Sequence, residues 1–248
     1  MKYITKYKSP NYNSRKNSKI KLIIIHYTAL KNIEEAISFL CKKEKKVSSH
    51  YLIGQNGSVY SLVNETHRAW HAGKSFWQDN LDINAISIGI ELDYNPYGIN
   101  NKFSLKMLAS LKKLILYIQI KYKISKTNVL GHSEVAPYRK KDPGKHFPWK
   151  VLLSSKIILN FENVKKSNIK IIEKWFFRNN IKSKKKIIII SLSLLGYDTD
   201  LAIENQKNYN KLINVYKIRY LDNLEYKNNI LLYNTLMKHL FKFLLTKT

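Results

Sequence analysis

Up to about residue 150 the chain alternates short apolar runs with amphipathic segments, which is the pattern of an α/β protein. The run "LIIIHY" predicts a buried strand that ends near His26. "IEEAISFLC" has helical spacing, and "SSHYLIGQNGSVYSLV" predicts a hairpin closed by an Asn-Gly turn. "NAISIGIELDY" predicts a further strand in which Ile86, Ile88 and Ile90 share one face.

A long amphipathic segment and another short strand complete this part. "FSLKMLASLKKLILYIQIKYKI" follows a potential N-cap, Ser104, and carries a continuous apolar stripe, so it predicts a helix. "TNVLGH" predicts a short strand that ends on a second histidine, His132. Beyond "IKSKKK", which reads as a linker, helical periodicity is broken near Gly196 and Leu221 and predicts a small bundle of about three helices.

The predicted fold class is therefore α/β (α+β), with a mixed central β-sheet flanked by helices and a small all-helical domain after it. We expect the first domain to cover residues 1–178, where the segment after Trp149 packs against the sheet. The helical domain is expected over residues 182–248. A chain of 248 residues, 44% of them hydrophobic, is long enough to bury such cores.

The formal net charge of +27 is extreme, but it does not by itself select a function. A nucleic-acid binder, a cell-wall binder and a lysine-biased sequence on solvated faces would all show it. The lysines are spread along the chain in short runs, and no nucleic-acid motif is recognisable, so we expect no nucleic-acid partner. The single cysteine, Cys41, excludes an internal disulfide framework and a cysteine-based zinc cluster.

Membrane insertion is not expected. The longest apolar run, residues 187–196, is about half the ~20 residues that a membrane-spanning helix requires. The basic N-terminal segment has no apolar stretch typical of a signal peptide, and the lysines that follow Cys41 argue against a lipid anchor there.

Two histidines and two carboxylates occupy positions where metal-dependent chemistry is usually found. His26 and His132 each end an apolar strand, and Asp142 follows ten residues after His132 in an Asp-Pro-Gly turn. Two imidazoles and one carboxylate form a normal ligand set for catalytic zinc. Glu91 ends the strand "SIGIEL" and is a candidate general base, while Lys140 is a candidate for stabilising an oxyanion.

Each of these residues also has a structural interpretation. A strand-end histidine is usually a satisfied rim residue, an aspartate before Pro-Gly is usually a turn residue, and a lysine within "RKK" is usually surface charge. His50, His67 and His71 are further candidates, so spacing alone does not select the ligands. The sequence contains no nucleophile-elbow serine, no H-E-x-x-H helix, no P-loop and no G-x-G-x-x-G.

Five segments resemble one known family. "IIIHYTA", "SSHYLIGQNGSVYSLV", "RAWHAG", "NAISIGIEL" and "GHSEVAPYRKKDPGKHFPW" occur in the order found in the zinc-dependent N-acetylmuramoyl-L-alanine amidases, relatives of the peptidoglycan recognition proteins. Within that family the chain is most similar to the two-domain type of the bacterial envelope. The resemblance implies an amidase that cleaves between N-acetylmuramic acid and L-alanine in peptidoglycan or muropeptides, for cell-wall turnover.

The resemblance also assigns roles to single positions. It implies one Zn²⁺ per chain held by His26, His132 and Asp142, with Glu91 as catalytic acid/base and Lys140 as the oxyanion-stabilising residue. It places His50 near the site without making it a ligand. The positions that it implies for the substrate groove are Arg68, Ala69, Trp70, His71, Ala72, Gly73 and Asn84.

Some implications of the resemblance stay open. "LLGYDTD" and "LINVYKIRY" resemble the family's helical peptidoglycan-binding domain, but Tyr216-Lys217 replaces the usual Phe-Gln, so a wall-binding and a purely structural role remain alternatives. A non-catalytic peptidoglycan recognition protein is the alternative to the enzyme. The family suggests a monomer in the bacterial envelope, whereas the absence of an evident signal peptide or lipobox leaves the cytoplasm open.

Overall fold

The computed structural model describes residues 2–99, 101–221 and 229–247. The strands are β1 (Tyr12–Ser14), β2 (Leu22–Tyr27), β3 (Tyr51–Ile53), β4 (Val59–Ser61), β5 (His67–Ala69), β6 (Ser87–Leu92) and β7 (Val129–Gly131). The helices are α1 (Ile33–Cys41), α2 (Ile83–Ile86), α3 (Leu105–Tyr122), α4 (His132–Val135), α5 (Trp149–Ser154), α6 (Lys166–Arg178), α7 (Lys184–Leu195), α8 (Asp200–Glu204), α9 (Gln206–Tyr220) and α10 (Asn229–Leu244).

The central sheet has the strand order β4-β3-β6-β2-β7. Strand β2 runs parallel to both β6 and β7, β3 runs parallel to β6, and β4 is the antiparallel hairpin partner of β3. The predicted mixed sheet is confirmed. Because β2, β6 and β7 are parallel neighbours, their carboxyl ends lie at one edge, where open α/β sheets place their ligands. A separate antiparallel pair, β1-β5, was not predicted.

The two main amphipathic helices of the first part form as predicted. The Asn32 side chain caps α1, and the Ser104 hydroxyl accepts a hydrogen bond from the Met107 backbone N–H at the start of α3. The apolar stripe of α3 packs against the sheet and includes the fully buried Leu111 and Ile115. Helix α3 therefore covers one face of the parallel strands.

The strand predicted from "NAISIGIELDY" is shorter than expected. Residues 83–86 form the helical turn α2, whose first turn is capped by the Asp82 carboxylate accepting from the Ala85 N–H. The strand begins at Ser87, so Ile86 lies outside it. A local side-chain cap overrides the strand pattern here, because aspartate offers the backbone an alternative to the sheet ladder.

The C-terminal part is helical, as predicted, and breaks at the expected places. Helix α7 ends at Gly196, which adopts φ +118°, and α9 ends before Leu221. Helices α7 to α10 exceed the expected three because a five-residue helix, α8, precedes α9. None of the helices in the described ranges combines the length and apolar character needed to cross a membrane.

One hydrophobic core extends through both parts of the chain. Its members from the first part include Ile24, Trp77 and Val135, and they pack with apolar side chains of α7, α9 and α10. The Trp77 ring contacts the Tyr197 ring edge to face, with centroids 4.9 Å apart. The division into domains near residue 180 stays a prediction, and the helices after it are tightly packed on the sheet.

Candidate metal centre

The sheet edge brings His26, His132 and Asp142 together. His26 is the fifth residue of β2, and His132 follows directly after β7, its parallel neighbour. Asp142 lies in the loop after α4, and its backbone carbonyl accepts a hydrogen bond of 2.8 Å from the Ser133 N–H. All three side chains are buried, and one ligand atom from each lies within 4.8 Å of the others.

The three facing atoms form a nearly equilateral triangle. His26 Nδ1 lies 2.9 Å from His132 Nδ1 and 3.1 Å from the Oδ2 atom of Asp142. His132 Nδ1 lies 2.9 Å from the same oxygen. Two imidazole nitrogens and one carboxylate oxygen therefore converge on a single point.

The tautomer of His132 follows from its second nitrogen. Nε2 lies 2.9 Å from the carbonyl oxygen of Ala72, which only accepts hydrogen bonds, so Nε2 carries the proton. In the neutral ring Nδ1 then presents a lone pair to Asp142 and His26. A metal-binding histidine is commonly oriented in this way.

A chain of hydrogen bonds fixes the tautomer of His26. The Ser87 hydroxyl donates its proton to the Ile83 carbonyl at 2.6 Å, so its oxygen accepts from His71 Nε2 at 3.0 Å. His71 Nδ1 is consequently an acceptor and receives a hydrogen bond of 3.0 Å from the N–H of His26 Nε2. His26 Nδ1 therefore also presents a lone pair to the cluster.

The electrostatics support this assignment. Burial, together with the nearby His132, lowers the pKa of His26 to about 4, so the ring is neutral at pH 7. Although burial opposes ionisation, the two histidines hold the pKa of Asp142 well below its ordinary value. Two imidazole nitrogens and a carboxylate oxygen face one another, and a divalent cation satisfies all three. The residues present fit a metal ion.

Gly131 allows the Asp142 loop to approach His132. A β-carbon at Gly131 would lie 2.5 Å from the Pro143 ring, which is closer than atoms can pack. Only glycine therefore leaves room for the proline that follows Asp142. The close approach of Gly131 and Pro143 therefore holds the "LGH" and "DPG" segments side by side.

Glu91 lies directly beside His26. The two residues are register partners on the parallel strands β6 and β2, so their side chains point to the same side of the sheet. Burial, with the Asp142 charge, raises the pKa of Glu91 to about 8, and Lys140 opposes this shift. Within the described residues, Glu91 Oε2 is buried and has no hydrogen-bond partner. A buried carboxylate oxygen without a partner is a free acceptor for a proton.

Part of the predicted substrate groove lies behind the cluster. His71 is buried and contacts His26, and the Ala72 carbonyl accepts from His132. The Asn84 amide oxygen accepts from the N–H groups of both His71 and Ala72, at 3.0 and 2.8 Å. The ring of His71 fits because β6 carries Gly89, where a β-carbon would lie only 2.4 Å from that ring.

The remaining groove residues make their contacts outside the cluster. Arg68 pairs with Asp82 at 2.8 Å, and the Trp70 indole N–H donates to the Asn13 side chain. Ala69 is buried in β5, and Gly73 adopts φ +60°. A substrate-binding role for these positions remains a prediction.

His50 is not part of the cluster. Its Nδ1 accepts from the Gly89 N–H at 3.0 Å, and its Nε2 lies 2.7 Å from the guanidinium of the buried Arg15. Burial, together with Arg15, lowers the pKa of His50 to about 3. The Arg15 guanidinium also donates to backbone carbonyls of three segments: Glu65 before β5, Asn84 and Ala85 in α2, and Ser87 at the start of β6. Arg15 could not be identified from the sequence because the segment around it, "YNSRKNSK", carries no motif.

A second group missed from the sequence supports the strand that carries His132. Glu134 is buried, accepts from the Gly131 N–H at 2.7 Å and receives hydrogen bonds from Tyr197 and Arg219 of the C-terminal helical part. Arg219 also donates to the Val129 carbonyl at 2.8 Å. The acid in "GHSEV" was the available signal, but its partners are distant in sequence.

A family model matches the first part of the chain. The model of the family described as N-acetylmuramoyl-L-alanine amidase, Amidase_2, matches residues 16–145. This range is more than half of the chain and contains every residue of the cluster, Glu91 and Lys140.

Curated and solved relatives agree with this match. The chain is 37% identical to N-acetylmuramoyl-L-alanine amidase AmiD of Escherichia coli over 54% of the chain and 52% of the relative, so the match spans about half of that protein. It is 35% identical to 1,6-anhydro-N-acetylmuramyl-L-alanine amidase AmpD of Haemophilus influenzae over 59% of the chain and 89% of the relative. A solved complex of AmiD from E. coli with the substrate anhydro-N-acetylmuramic acid-L-Ala-D-γ-Glu-L-Lys superposes with a TM-score of 0.69, at 26% identity, over 98% of this chain and 93% of that one.

Proposed function

The chain belongs to the N-acetylmuramoyl-L-alanine amidase family, and from that premise we propose that it hydrolyses the amide between N-acetylmuramic acid and L-alanine in peptidoglycan or muropeptides. The family and the enzyme class expected from the sequence are confirmed by the comparisons, and the chain is similar to AmiD. The observation that carries the proposal for this chain is the convergence of His26 Nδ1, His132 Nδ1 and the Asp142 carboxylate beside a buried Glu91.

We assign one zinc ion to this cluster, held by His26, His132 and Asp142. Two neutral imidazoles and one carboxylate are a ligand set that leaves a fourth position open, as catalytic zinc requires. When bound, zinc supplies Lewis-acid polarisation of a carbonyl group and activates water near neutral pH.

Glu91 is the proton carrier in this proposal. Its oxygen accepts a proton from the attacking water, and the same carboxyl group then protonates the leaving L-alanine nitrogen. Burial raises the pKa of Glu91 from its ordinary value towards neutrality, and a general acid/base works best when its pKa lies near the operating pH. Its Oε2 atom, which is buried and has no hydrogen-bond partner among the described residues, is available for this transfer.

Lys140 is the proposed oxyanion-stabilising residue. It is half-buried in the loop between His132 and Asp142, and its charge acts on both Glu91 and His26. An ammonium group in this position stabilises the negative charge that develops on the carbonyl oxygen during attack. The loop therefore carries both a ligand, Asp142, and a cation, Lys140.

A non-catalytic peptidoglycan-binding protein is the alternative. It would need the groove but not a complete ligand set with a buried carboxylate beside it. One experiment separates the two: purified protein is analysed for metal and incubated with anhydro-muramyl tripeptide. The proposal predicts one zinc per chain and release of the free tripeptide, detected by mass spectrometry. Binding without release would support the alternative.

A further inference from the structure

Helix α6 places three large apolar side chains in solvent. Ile171 is 57% exposed, Trp175 52% and Phe177 67%. The opposite side of the helix supplies its contacts with the core, where Ile172 and Phe176 are buried. Single exposed apolar residues are normal on a protein surface, but three on one helix of 13 residues indicate a surface that binds a partner.

A row of cations runs along the same exposed side of α6. Lys170, Lys174 and Arg178 follow one another at intervals of four residues, and all three are exposed. Three-residue spacing places Ile171 beside Lys174 and Trp175 beside Arg178. This surface, the α6 face, consists of Lys170, Ile171, Lys174, Trp175, Phe177 and Arg178.

The segment around the α6 face is strongly cationic. Residues 165–186 contain nine lysines and arginines but a single acidic residue, Glu173. Each of the nine is exposed, whereas Glu173 is half-buried and accepts a hydrogen bond from the Tyr233 hydroxyl of α10. The summed field of this segment therefore attracts an anionic partner.

A bilayer that contains anionic lipids matches both properties of the α6 face. Its headgroups attract lysine and arginine, and the boundary between headgroups and acyl chains accommodates tryptophan, phenylalanine and isoleucine. The long stems of Lys170 and Lys174 let their ammonium groups stay at the headgroups while the neighbouring rings insert. With 13 residues, α6 is about 20 Å long, so it would lie in the bilayer surface and not span it.

Two other occupants match the α6 face less well. A second copy of the chain would bring two cationic faces together, and like charges oppose such an interface. A nucleic acid would neutralise the cations, but the aliphatic Ile171 offers no ring on which a base could stack.

We propose that the α6 face is a peripheral membrane-binding surface, which docks the folded protein on bilayers that contain anionic phospholipids. Trp175 and Phe177 insert at the boundary of the acyl chains, and the lysines contact the headgroups. The inference goes beyond the proposed amidase function and does not depend on it, because the proposed zinc ligands and Glu91 lie outside α6.

The test of the charges is co-sedimentation of the full chain with lipid vesicles. The vesicles consist of phosphatidylcholine alone or of an equal mixture of phosphatidylcholine and phosphatidylglycerol. We expect binding to the mixed vesicles that weakens with added salt, and binding about tenfold weaker to phosphatidylcholine alone. Lys170→Glu/Lys174→Glu should weaken binding to the mixed vesicles about tenfold. Lys106→Glu/Lys113→Glu on α3 is the matched control, since it makes the same change in net charge at two exposed lysines and should bind within about twofold of the wild type.

The test of the apolar side chains uses a second pair of variants. Trp175→Ser/Phe177→Ser should weaken binding to the mixed vesicles about tenfold. Leu116→Ser/Ile120→Ser, at exposed apolar positions of α3, is the control and should bind like the wild type. Trp175→Phe should still bind, but it should lose most of the quenching of tryptophan fluorescence by lipids brominated in their acyl chains. Circular dichroism checks that each variant is folded.

Equal binding by the α6 variants and their α3 controls would overturn the inference, because charge alone would then hold the protein on the vesicles. Binding of an oligonucleotide through the α6 face without vesicle binding, or a dimer that Trp175→Ser/Phe177→Ser abolishes, would overturn it as well. Failure of the proposed function looks different: wild-type protein would bind the mixed vesicles but release no peptide from soluble anhydro-muramyl tripeptide. If that function holds, the α6 variants should cleave the soluble substrate at the wild-type rate.

Discussion

Arg219 of helix α9 and Glu134 beside the metal cluster form a buried ion pair, with Nη1 and Oε2 2.7 Å apart. Both side chains are almost completely inaccessible, at 4% and 2% exposure. The Arg219 guanidinium also stacks 3.7 Å from the centre of the Trp149 ring. Residues that are 85 positions apart thus secure the strand end that carries His132.

Breaking this pair should strongly destabilise the protein. Arg219→Met leaves the Glu134 carboxylate buried without its cation, so we expect the free energy of unfolding to fall by about 3–5 kcal/mol. Urea unfolding measures the loss. The double variant Arg219→Met/Glu134→Gln should recover part of it, because no buried charge remains. Lys207→Met, on the exposed side of α9, is the control and should lower the free energy of unfolding only slightly. If Arg219→Met and Lys207→Met lost equal stability, the ion pair would have no special role.

His132→Ala should remove the metal. Two remaining ligands hold zinc far more weakly than three, so we expect less than a tenth of the wild-type zinc after dialysis, measured by plasma mass spectrometry, and no amide hydrolysis. His67→Ala is the control, since the His67 side chain lies outside the cluster and only its backbone carbonyl is used by His50. Full zinc occupancy in the His132 variant would refute the ligand assignment.

Glu91→Gln should separate catalysis from metal binding. The amide keeps the shape of the side chain but cannot take a proton, so we expect full zinc content and a loss in kcat of at least ~10²-fold. The exposed carboxylate of Glu34 provides the matched control, Glu34→Gln. If the Glu91 variant turned over at the wild-type rate, another group would have to carry the proton.

His71 should control zinc affinity without touching the metal. His71→Leu removes the acceptor that fixes the His26 tautomer, so we expect zinc to bind about 10–100-fold more weakly in competition with a chelator. His71→Gln offers both an acceptor and a donor and should recover much of the affinity. A purely packing role would make Leu the better replacement, which is the opposite order.

His239 should make stability depend on pH. Burial, together with Arg219, lowers its pKa to about 3 in the folded protein. The unfolded chain, with a histidine pKa of about 6.5, binds more protons between these values, so stability falls as pH decreases through this window. Within this window His239 lowers the free energy of unfolding by ~1.4 kcal/mol for each pH unit of acidification, and above a pH of about 6.5 it adds no pH dependence. His239→Phe should flatten the decline in urea midpoints between pH 6 and 4; an unchanged slope would contradict the prediction.

The sequence predicted the elements that carry a local pattern. Strands β2 and β6 are apolar runs, and α3 has both a cap and a stripe, so their positions are encoded nearby. His26 lies near the end of β2 and His132 directly follows β7, so the carboxyl edge of the sheet could be predicted as the location of the metal site.

Features that depend on distant partners could not be predicted in this way. The pairing of Glu134 with Arg219 and the contact of His71 with His26 arise only when the chain is folded, since neither pair has a spacing that periodicity detects. The helical turn at residues 83–86 was missed because its cap competes with a strand pattern of similar strength. Likewise, Lys140 of the loop after α4 and Lys211 of α9 line one groove although they are about 70 residues apart.

The core that joins Trp77 and Val135 to the C-terminal helices limits how such a chain can be recombined. Gly196 adds to this, since its carbonyl accepts from the Gln78 N–H at 3.0 Å and a β-carbon there would lie 2.5 Å from the Gln78 side chain. A chimera that joins residues 1–181 to an unrelated wall-binding module would expose this apolar surface and should be recovered mainly as aggregate. In protein engineering the two parts must therefore be exchanged together, as one inherited unit.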